Sequence, residues 1–366
     1  MQKKHIVLRI INKQRKKCDE LMVTLKDIAK KVNFSESIVS RALNNYPYIK
    51  ESTRELIIKT AKEMGYYPNI AARSLVTRKT QTIGVFMASI TGMYYASIIK
   101  GLEYMADKTD YTLIFSNSYK RPGYQQFLAK ERVDGLIVFS SYIKERNQIL
   151  KLIAQDIPIV VVESCLSDPR ANCIWVENVY GGYIATKHLL DQGYTRIAHI
   201  AGDLEYQVSF DRLEGYKKAL AEANIPVQPE LITTGNYTCE DGYEAMKNLL
   251  EYQPRCNGVF IANDAMAYGA LQAINEAGLS VSADIAVVGY DDIDFSALTH
   301  PPLTTIRQPL FKLGEKSMSV LVSILKNKQK KDEGTKICLM PELVIRKSTG
   351  AFDKNAMDRV PPVDEN

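Results

Sequence analysis

Hydrophobic positions along the chain follow two regimes. Between residues 25 and 64 they recur at helical spacing, and from residue 83 onward they gather into short apolar runs separated by helical stretches. In the first regime Leu25, Ile28, Ala29 and Val32 fall at i, i+3, i+4 and i+7, so one stripe faces a partner while Lys26, Lys30 and Lys31 stay in water. Asn33 tolerates the left-handed conformation that a tight turn needs. Ser35 is placed to cap a second helix, in which Ile38, Val39, Ala42 and Leu43 share one face and Glu36, Ser37, Ser40, Arg41 and Asn44 the other. A third helix, opened by a box from Ser52 to Glu55 and closed by Gly65, is expected to bury Leu56, Ile57, Ala61 and Met64. Three short helices then make one small core.

In the second regime the strand-length runs are 83–86, 112–115, 135–138 and 159–162, then 197–200, 258–261 and 286–290. Strands alternating with helices predict parallel sheets flanked by helices. The pattern occurs twice, which predicts two Rossmann-like lobes with a ligand cleft at the strand ends. No Gly-x-Gly-x-x-Gly follows any of these strands, so no dinucleotide cofactor is expected. The chain's 366 residues exceed one ordinary core and agree with two or three folded units.

Charge sharpens the picture. Residues 1–82 hold 18 Lys and Arg against 7 Asp and Glu, whereas the remainder holds 29 against 35. A basic head on a mildly acidic body fits a polyanion-binding module joined to a receptor, against the blander reading of a solvated basic bundle. The six cysteines show no Cys-x-x-Cys and no histidine at metal spacing, as expected of reduced cytoplasmic thiols. No membrane span or secretory signal is evident, so a cytoplasmic protein is expected. Asp291, Asp292 and Asp294 lack further ligands at metal spacing, and no metal is expected there. His5, His188, His199 and His300 adjoin no nucleophile in a recognised motif, and Gly-x-Ser-x-Gly is absent, which argues against an enzyme acting on a sugar.

Thr-Leu-Lys-Asp-Ile-Ala at 24–29, Ile-Val-Ser-Arg-Ala-Leu-Asn at 38–44, Gly-Tyr-Tyr-Pro-Asn at 65–69 and Ala-Arg-Ser-Leu at 72–75 together resemble the lactose-repressor (LacI/GalR) family of bacterial regulators. The similarity continues to about Gly350, through Val-Asp-Gly at 133–135, Arg-Leu-Glu-Gly-Tyr at 212–216, Ala-Asn-Asp-Ala-Met-Ala at 262–267, Gly-Tyr-Asp-Asp at 289–292 and Pro-Pro-Leu-Thr-Thr-Ile-Arg-Gln-Pro at 301–309. Each motif alone is weak, and their order is specific. The fold class this implies is an N-terminal all-α helix-turn-helix headpiece plus an α/β core of two Rossmann-like lobes, like a periplasmic binding protein. The expected domains are a basic extension at 1–22, the helix-turn-helix at 23–67, a hinge helix and linker at 68–82, a two-lobed ligand-binding and dimerisation domain at 83–350 and a polar tail at 351–366. Met22 stands directly before Val-Thr-Leu and is the expected start of translation, the competing idea being a basic arm that touches phosphates.

The second helix would enter the major groove, where side chains can separate all four base pairs. Arg41 can fork to guanine O6 and N7, as the resemblance also implies, with a surface ion pair to Glu36 as the plainer alternative. Glu36 and Ser37 match family positions that set operator preference, and Thr24, Ser35, Ser40 and Asn44 match positions that clamp phosphates. Ile38 stands where the family usually has threonine, which removes one polar contact. Asn69 to Leu75 resembles the family's hinge helix: Leu75 would wedge into the minor groove, and small Ala72 would let two such helices approach. A homodimer on a palindromic operator follows.

The resemblance points into the cleft at Arg212, Asn263 and Asp291, with Glu163 and Tyr237 as further lining, and Tyr94 and Tyr95 can stack on a sugar ring. These groups suit a polyol. The function expected is a repressor of carbohydrate-utilisation genes, gated by a small sugar or sugar-phosphate effector through lobe closure. Two alternatives stand beside it: control by a phosphorylated carrier protein, and a sugar-binding enzyme. Residues 116–132 are shorter than usual for the family's second crossover in the first lobe.

Overall fold

The computed structural model describes residues 23–44, 46–66, 79–116, 124, 127–128, 133–139, 142–326 and 333–350. The hinge positions Asn69, Ala72 and Leu75, the basic extension, the polar tail and most of the short second crossover lie outside them. The chain divides between Thr80 and Gln81 into two compact units.

The first unit holds helices α1 (Leu25–Val32), α2 (Glu36–Leu43) and α3 (Glu51–Glu63). Thr24 caps α1 reciprocally: its hydroxyl accepts from the Asp27 N–H, and the Asp27 carboxylate accepts from the Thr24 N–H at 3.0 Å. Asn33 closes α1 at φ 55°, the left-handed turn its side chain tolerates. Ser35 caps α2 by accepting from the Ile38 N–H. Ile28, Ala29, Val39, Ala42, Ile57 and Ala61 form the shared core.

Two expectations fail in α3. The helix begins at Glu51, which puts Ser52 inside its first turn, and no side chain caps it. Arg54 orders this entry instead, its guanidinium donating to Glu51 and to the carbonyls of Tyr46 and Ile49. Leu56 is 48% exposed, because Ile57 and Ala61, a turn apart, point at the other helices in its place. Gly65, at φ 69°, ends the segment as expected.

The second unit contains two six-stranded sheets. Its elements are β1 (Thr82–Phe86), α4 (Met93–Thr109), β2 (Thr112–Ser116), β3 (Gly135–Phe139), α5 (Arg146–Ala154), β4 (Ile159–Val162), β5 (Asn172–Val176), α6 (Asn178–Asp191), β6 (Ile197–Ala201), α7 (Gln207–Glu222), β7 (Ile232–Thr234), α8 (Cys239–Glu251), β8 (Gly258–Ile261), α9 (Asp264–Glu276), β9 (Ala286–Asp291), β10 (Thr304–Arg307), α10 (Leu310–Lys326), β11 (Lys336–Leu339) and β12 (Glu342–Val344). The first lobe's sheet runs β11-β5-β4-β3-β1-β2 and the second's β12-β10-β9-β8-β6-β7. All pairings are parallel except β10 with β12.

Neighbouring strand residues point to opposite faces, and helices cover both. In the first lobe Val85, Ile137 and Val160 join one cluster and Phe86, Leu136 and Val161 the other. In the second, Ile200 and Val259 oppose Ile197 and Phe260 in the same way.

The chain passes between lobes three times: at Glu177 after β5, at Gln308 and Pro309 after β10, and at Met340 and Pro341 after β11. The second crossing returns α10 to pack on α4. A Cβ added at Gly101 would lie 2.1 Å from the Phe311 carbonyl oxygen, and one at Gly314 would lie 2.1 Å from that of Ile98. The two helices therefore touch backbone to backbone.

Candidate functional site

In the head, the second helix presents a polar face free of core duties. Glu36, Ser37, Arg41 and Asn44 are exposed, Ser40 is half-buried, and Val39 and Ala42 carry the packing. The Arg41 guanidinium lies 5.8 Å from the Tyr46 ring centroid, in place of the ion pair with Glu36 weighed above. Asn44 donates to the Ser40 carbonyl at 2.8 Å. Ser35 uses its oxygen as the cap acceptor and keeps its own proton for donation. Thr24 spends its proton on Asp27 at 2.6 Å, so its hydroxyl is already engaged.

In the core, a cavity of about 1040 Å³ opens between the lobes. Its polar groups lie just past strand ends: Glu163 after β4, Tyr237 after β7, Asn263 after β8 and Asp291 at the end of β9. All seven residues picked out for effector binding, Tyr94, Tyr95, Glu163, Arg212, Tyr237, Asn263 and Asp291, line this one cavity. Glu163, Tyr237 and Asp291 hold φ of 71°, 67° and 116°. Such conformations cost a non-glycine residue of order 1–3 kcal/mol and gather at functional sites.

Arg212 is the cation at the centre, buried to 3% exposure on α7. Its Nε donates to Asn178 Oδ1 at 2.9 Å, its Nη1 to the Ala262 carbonyl, and its plane lies 3.8 Å over the Tyr290 ring. Tyr290 also donates to Asn178 Oδ1, at 3.0 Å, closing the cradle. Glycines set the depth: a Cβ at Gly182 on α6 would lie 2.2 Å from the Arg212 carbonyl oxygen, so only a bare backbone lets α7 bring Arg212 this close.

Burial pushes the Glu163 carboxyl up, opposed by the Tyr94 hydroxyl at 2.9 Å and by the Arg212 charge. Asp291 goes the same way, well above the ordinary carboxylate range, again through burial and against Arg212. Gln308 holds its Oδ1 at 2.7 Å. Asn263 is buried and already engaged in the fold. Its Oδ1 caps α9 by accepting from the Met266 N–H, and its Nδ2 donates to the Tyr237 carbonyl at 3.2 Å.

Sequence reasoning passed over several participants. Tyr142 and Tyr206 line the cavity from opposite lobes, with ring centroids 5.3 Å apart. Asp264 lies beneath the cleft, fully buried, accepting from the Ile293 N–H and from the hydroxyls of Ser296 and Thr305, and burial lifts its carboxyl to about 6. Asp264 and Gln308 fall within the quoted motifs, but spacing alone names no partner for either. Asp292, weighed above as a metal ligand, bonds Arg307 at 2.7 Å and Arg346 at 2.6 Å. Among the described residues no group of three or more His, Cys, Asp or Glu could hold a metal ion. None of their helices is long and apolar enough to cross a membrane.

A three-helix head with an exposed recognition face and a two-lobed core around a polar cleft define a DNA-binding regulator that carries an effector-binding domain. Family comparison agrees. Residues 24–69 match the model of bacterial regulatory proteins of the lacI family, and residues 186–349 match the periplasmic binding protein-like domain. The HTH-type transcriptional repressor PurR of Histophilus somni (strain 129Pt) is 37% identical over 331 residues, covering 89% of this chain and 99% of that protein. The PurR repressor of Vibrio campbellii is 35% identical over 329 residues, at 89% and 98% coverage. Among solved structures, the Lac repressor dimer bound to operator and the anti-inducer ONPF superposes with a TM-score of 0.80 at 30% identity, covering 90% of this chain and 99% of that one. The transcriptional regulator CelR in complex with cellobiose gives 0.69 at 27%, over 89% and 99%. The chain belongs to the LacI family. It is a transcriptional repressor that binds operator DNA and a small-molecule effector, a regulator like its relatives and not an enzyme.

Proposed function

We propose that this repressor controls carbohydrate-utilisation genes and is gated by a small polyhydroxylated ring bound in the interlobe cleft. The observation that carries the reading is the mixed lining of that cleft, in which tyrosine rings stand beside Glu163, Arg212 and Asp291. Tyr94 and Tyr95 supply apolar faces for a ring. Glu163 and Asp291 accept from adjacent hydroxyls, and Arg212 donates. The volume accommodates one or two sugar rings. CelR, a structural relative, forms a complex with cellobiose, and a LacI family regulator from Enterococcus faecium holds bound ribose. On the DNA side, Arg41, Glu36 and Ser37 read base edges, while Ser35, Ser40 and Asn44 fix register on phosphates. Thr24 does so through whatever its bond to Asp27 leaves available. The hinge positions Asn69, Ala72 and Leu75 complete the contact in the minor groove, in a cytoplasmic homodimer on a palindrome.

A second reading is favoured by the tyrosines themselves. Tyr94, Tyr206 and Tyr237 present several ring faces, which also suits a planar heterocyclic base, and the relatives of highest identity quoted above carry the name PurR rather than a sugar.

The test is operator affinity at fixed salt, measured by fluorescence anisotropy on palindromes from the gene's own upstream region, with panels of sugars, sugar phosphates and free nucleobases. A sugar that shifts affinity at least about tenfold, roughly 1.4 kcal/mol of coupling, supports the first reading, and a base doing so supports the second. Selective binding that no compound alters would transfer control to a phosphorylated carrier protein.

A further inference from the structure

The lobes are joined in a second way, remote from the three chain crossings. Tyr142, in the loop after β3, forms an antiparallel bridge with Tyr206, in the loop after β6. Beside it the Ile143 N–H donates to the Glu205 carbonyl at 3.0 Å, a backbone hydrogen bond between lobes. Side chains of the first lobe reinforce it by donating to acceptors on the second. The Tyr142 hydroxyl donates to Glu205 Oε2 at 2.6 Å, the Lys144 ammonium pairs with Glu205 Oε1, and Arg146 donates to Gln207 Oε1. The acceptors are braced within the second lobe: Asp203 holds the Glu205 N–H at 2.9 Å, and Gln207 donates to Asp211.

Position gives this cluster leverage. In the first sheet β3 lies two strands from β5, where the chain leaves for the other lobe, and in the second β6 lies three strands from β10, where it returns. At about 4.8 Å per strand, the contact acts roughly 10–15 Å from the crossings. Tyr142 and Tyr206 also line the cleft, so parting the cluster opens the cavity.

We propose that residues 142–146 and 205–207 form a clasp that biases the two lobes toward closure, setting the equilibrium that an effector then shifts. The regulatory part rests on the cleft being the effector site, whereas the clasp itself stands on the contacts alone. Each member is individually weak. The Lys144 and Glu205 side chains are 65% and 45% exposed, and exposed ion pairs contribute little. The clasp is therefore opened thermally and acts as a bias on lobe closure. A closed fraction raised in this way raises apparent effector affinity in proportion.

Amide hydrogen exchange on the intact protein without added ligand tests the clasp. Four proteins are compared: wild type, Glu205→Lys, the charge swap Lys144→Glu with Glu205→Lys, and Ile143→Pro. Proline fits the first position of the turn Ile143–Glu145, and Tyr142 at φ −72°, ψ 114° suits a residue before proline, so this variant removes the interlobe N–H and keeps the turn. Glu205→Lys is expected to speed exchange about three- to tenfold in segments 142–146 and 204–207 together, the swap to restore most of the protection, and Ile143→Pro to deprotect segment 204–207 from the other lobe. Equal exchange in all four proteins, or a swap no slower than Glu205→Lys alone, would overturn the clasp. Operator titration of the same variants reads the effector separately: a protein deaf to every compound but showing the exchange pattern keeps the clasp and loses the effector reading.

Discussion

The Tyr94 hydroxyl donates to Glu163 Oε1 at 2.9 Å, joining the first turn of α4 to the residue just beyond β4 inside the cleft. The bond holds down a carboxyl that burial pushes up. Tyr94→Phe removes this opposition, so the Glu163 carboxyl rises further. An effector that uses the ionised form is expected to bind about tenfold more weakly, equivalent to about 1.4 kcal/mol, with part of the loss recovered as pH rises. Calorimetric titration between pH 6 and pH 9, at roughly unit intervals, is the check. An unchanged pH profile would remove Glu163 from the binding reaction.

Arg41 is exposed on the second helix, and its guanidinium lies against the exposed Tyr46 ring rather than the core, so Arg41→Ala should leave the head folded. Loss of a forked guanine contact costs about 1–3 kcal/mol and relaxes selectivity at one operator position. Loss of a phosphate contact would instead weaken all sequences alike and lower the salt slope by about one. Binding to a set of singly substituted operators at two salt concentrations separates the two.

Gly182 has no room for a side chain against the Arg212 backbone. Gly182→Ala must push α6 and α7 apart, at a cost of about 1–3 kcal/mol by the usual penalty for overpacking. Because Arg212 moves with α7, effector response is expected to fall more than stability alone explains. Thermal unfolding read beside effector titration tests this, and a destabilised variant with normal effector affinity would contradict it.

Asp264 gives a dependence on pH with a defined sign. Its carboxyl sits at about 6 in the folded protein against an ordinary value of 3.8, so the folded state holds the proton more tightly. Its contribution is fully present below about pH 4 and is lost as pH rises through about 6, amounting to on the order of 2–3 kcal/mol. Buried His199, held at about 4, works in the opposite direction and loses stability on acidification. Comparing wild type with Asp264→Asn cancels the histidine. Wild type should gain on the variant as pH falls from about 7 to 4, seen as a wild-type urea midpoint that rises relative to the variant's, and a constant gap would refute the assignment.

Much of the fold was legible because period and length coincide with burial. The seven apolar runs from Ile83 to Tyr290 each became a strand within a residue; six lie inside their sheets, where parallel strands are apolar on both faces, and β2 forms an edge. The strands missed are those whose sequence carries polar residues: Asn172–Val176 with its asparagine, the short Ile232–Thr234, the threonine-rich Thr304–Arg307, the edge strand Lys336–Leu339 and Glu342–Val344. Their pairing depends on neighbours distant in sequence. In the head, the caps at Ser35 and Asn33 were readable as local chemistry, whereas Thr24, read only as a phosphate contact, also caps the first helix, and Leu56 went outward because only the assembled three-helix core decides which residue of a pair points in. Of the cleft residues, Arg212, Asn263 and Asp291 were accessible through motifs. The pairing of Tyr142 with Tyr206 was not, because it joins loops that carry no pattern of their own.

The three crossings also govern how the protein can be made. The first lobe begins at β1, yet α10, which packs on α4, and β11, which pairs with β5, come from residues 310–339. A ribosome therefore releases a folded head and most of both sheets while the leading lobe still lacks a helix and an edge strand. Until those residues emerge, the faces of α4 and β5 that they cover stay open to solvent and to chaperones. Competence to sense an effector is consequently a late event in synthesis, reached only after the DNA-reading unit has long been complete.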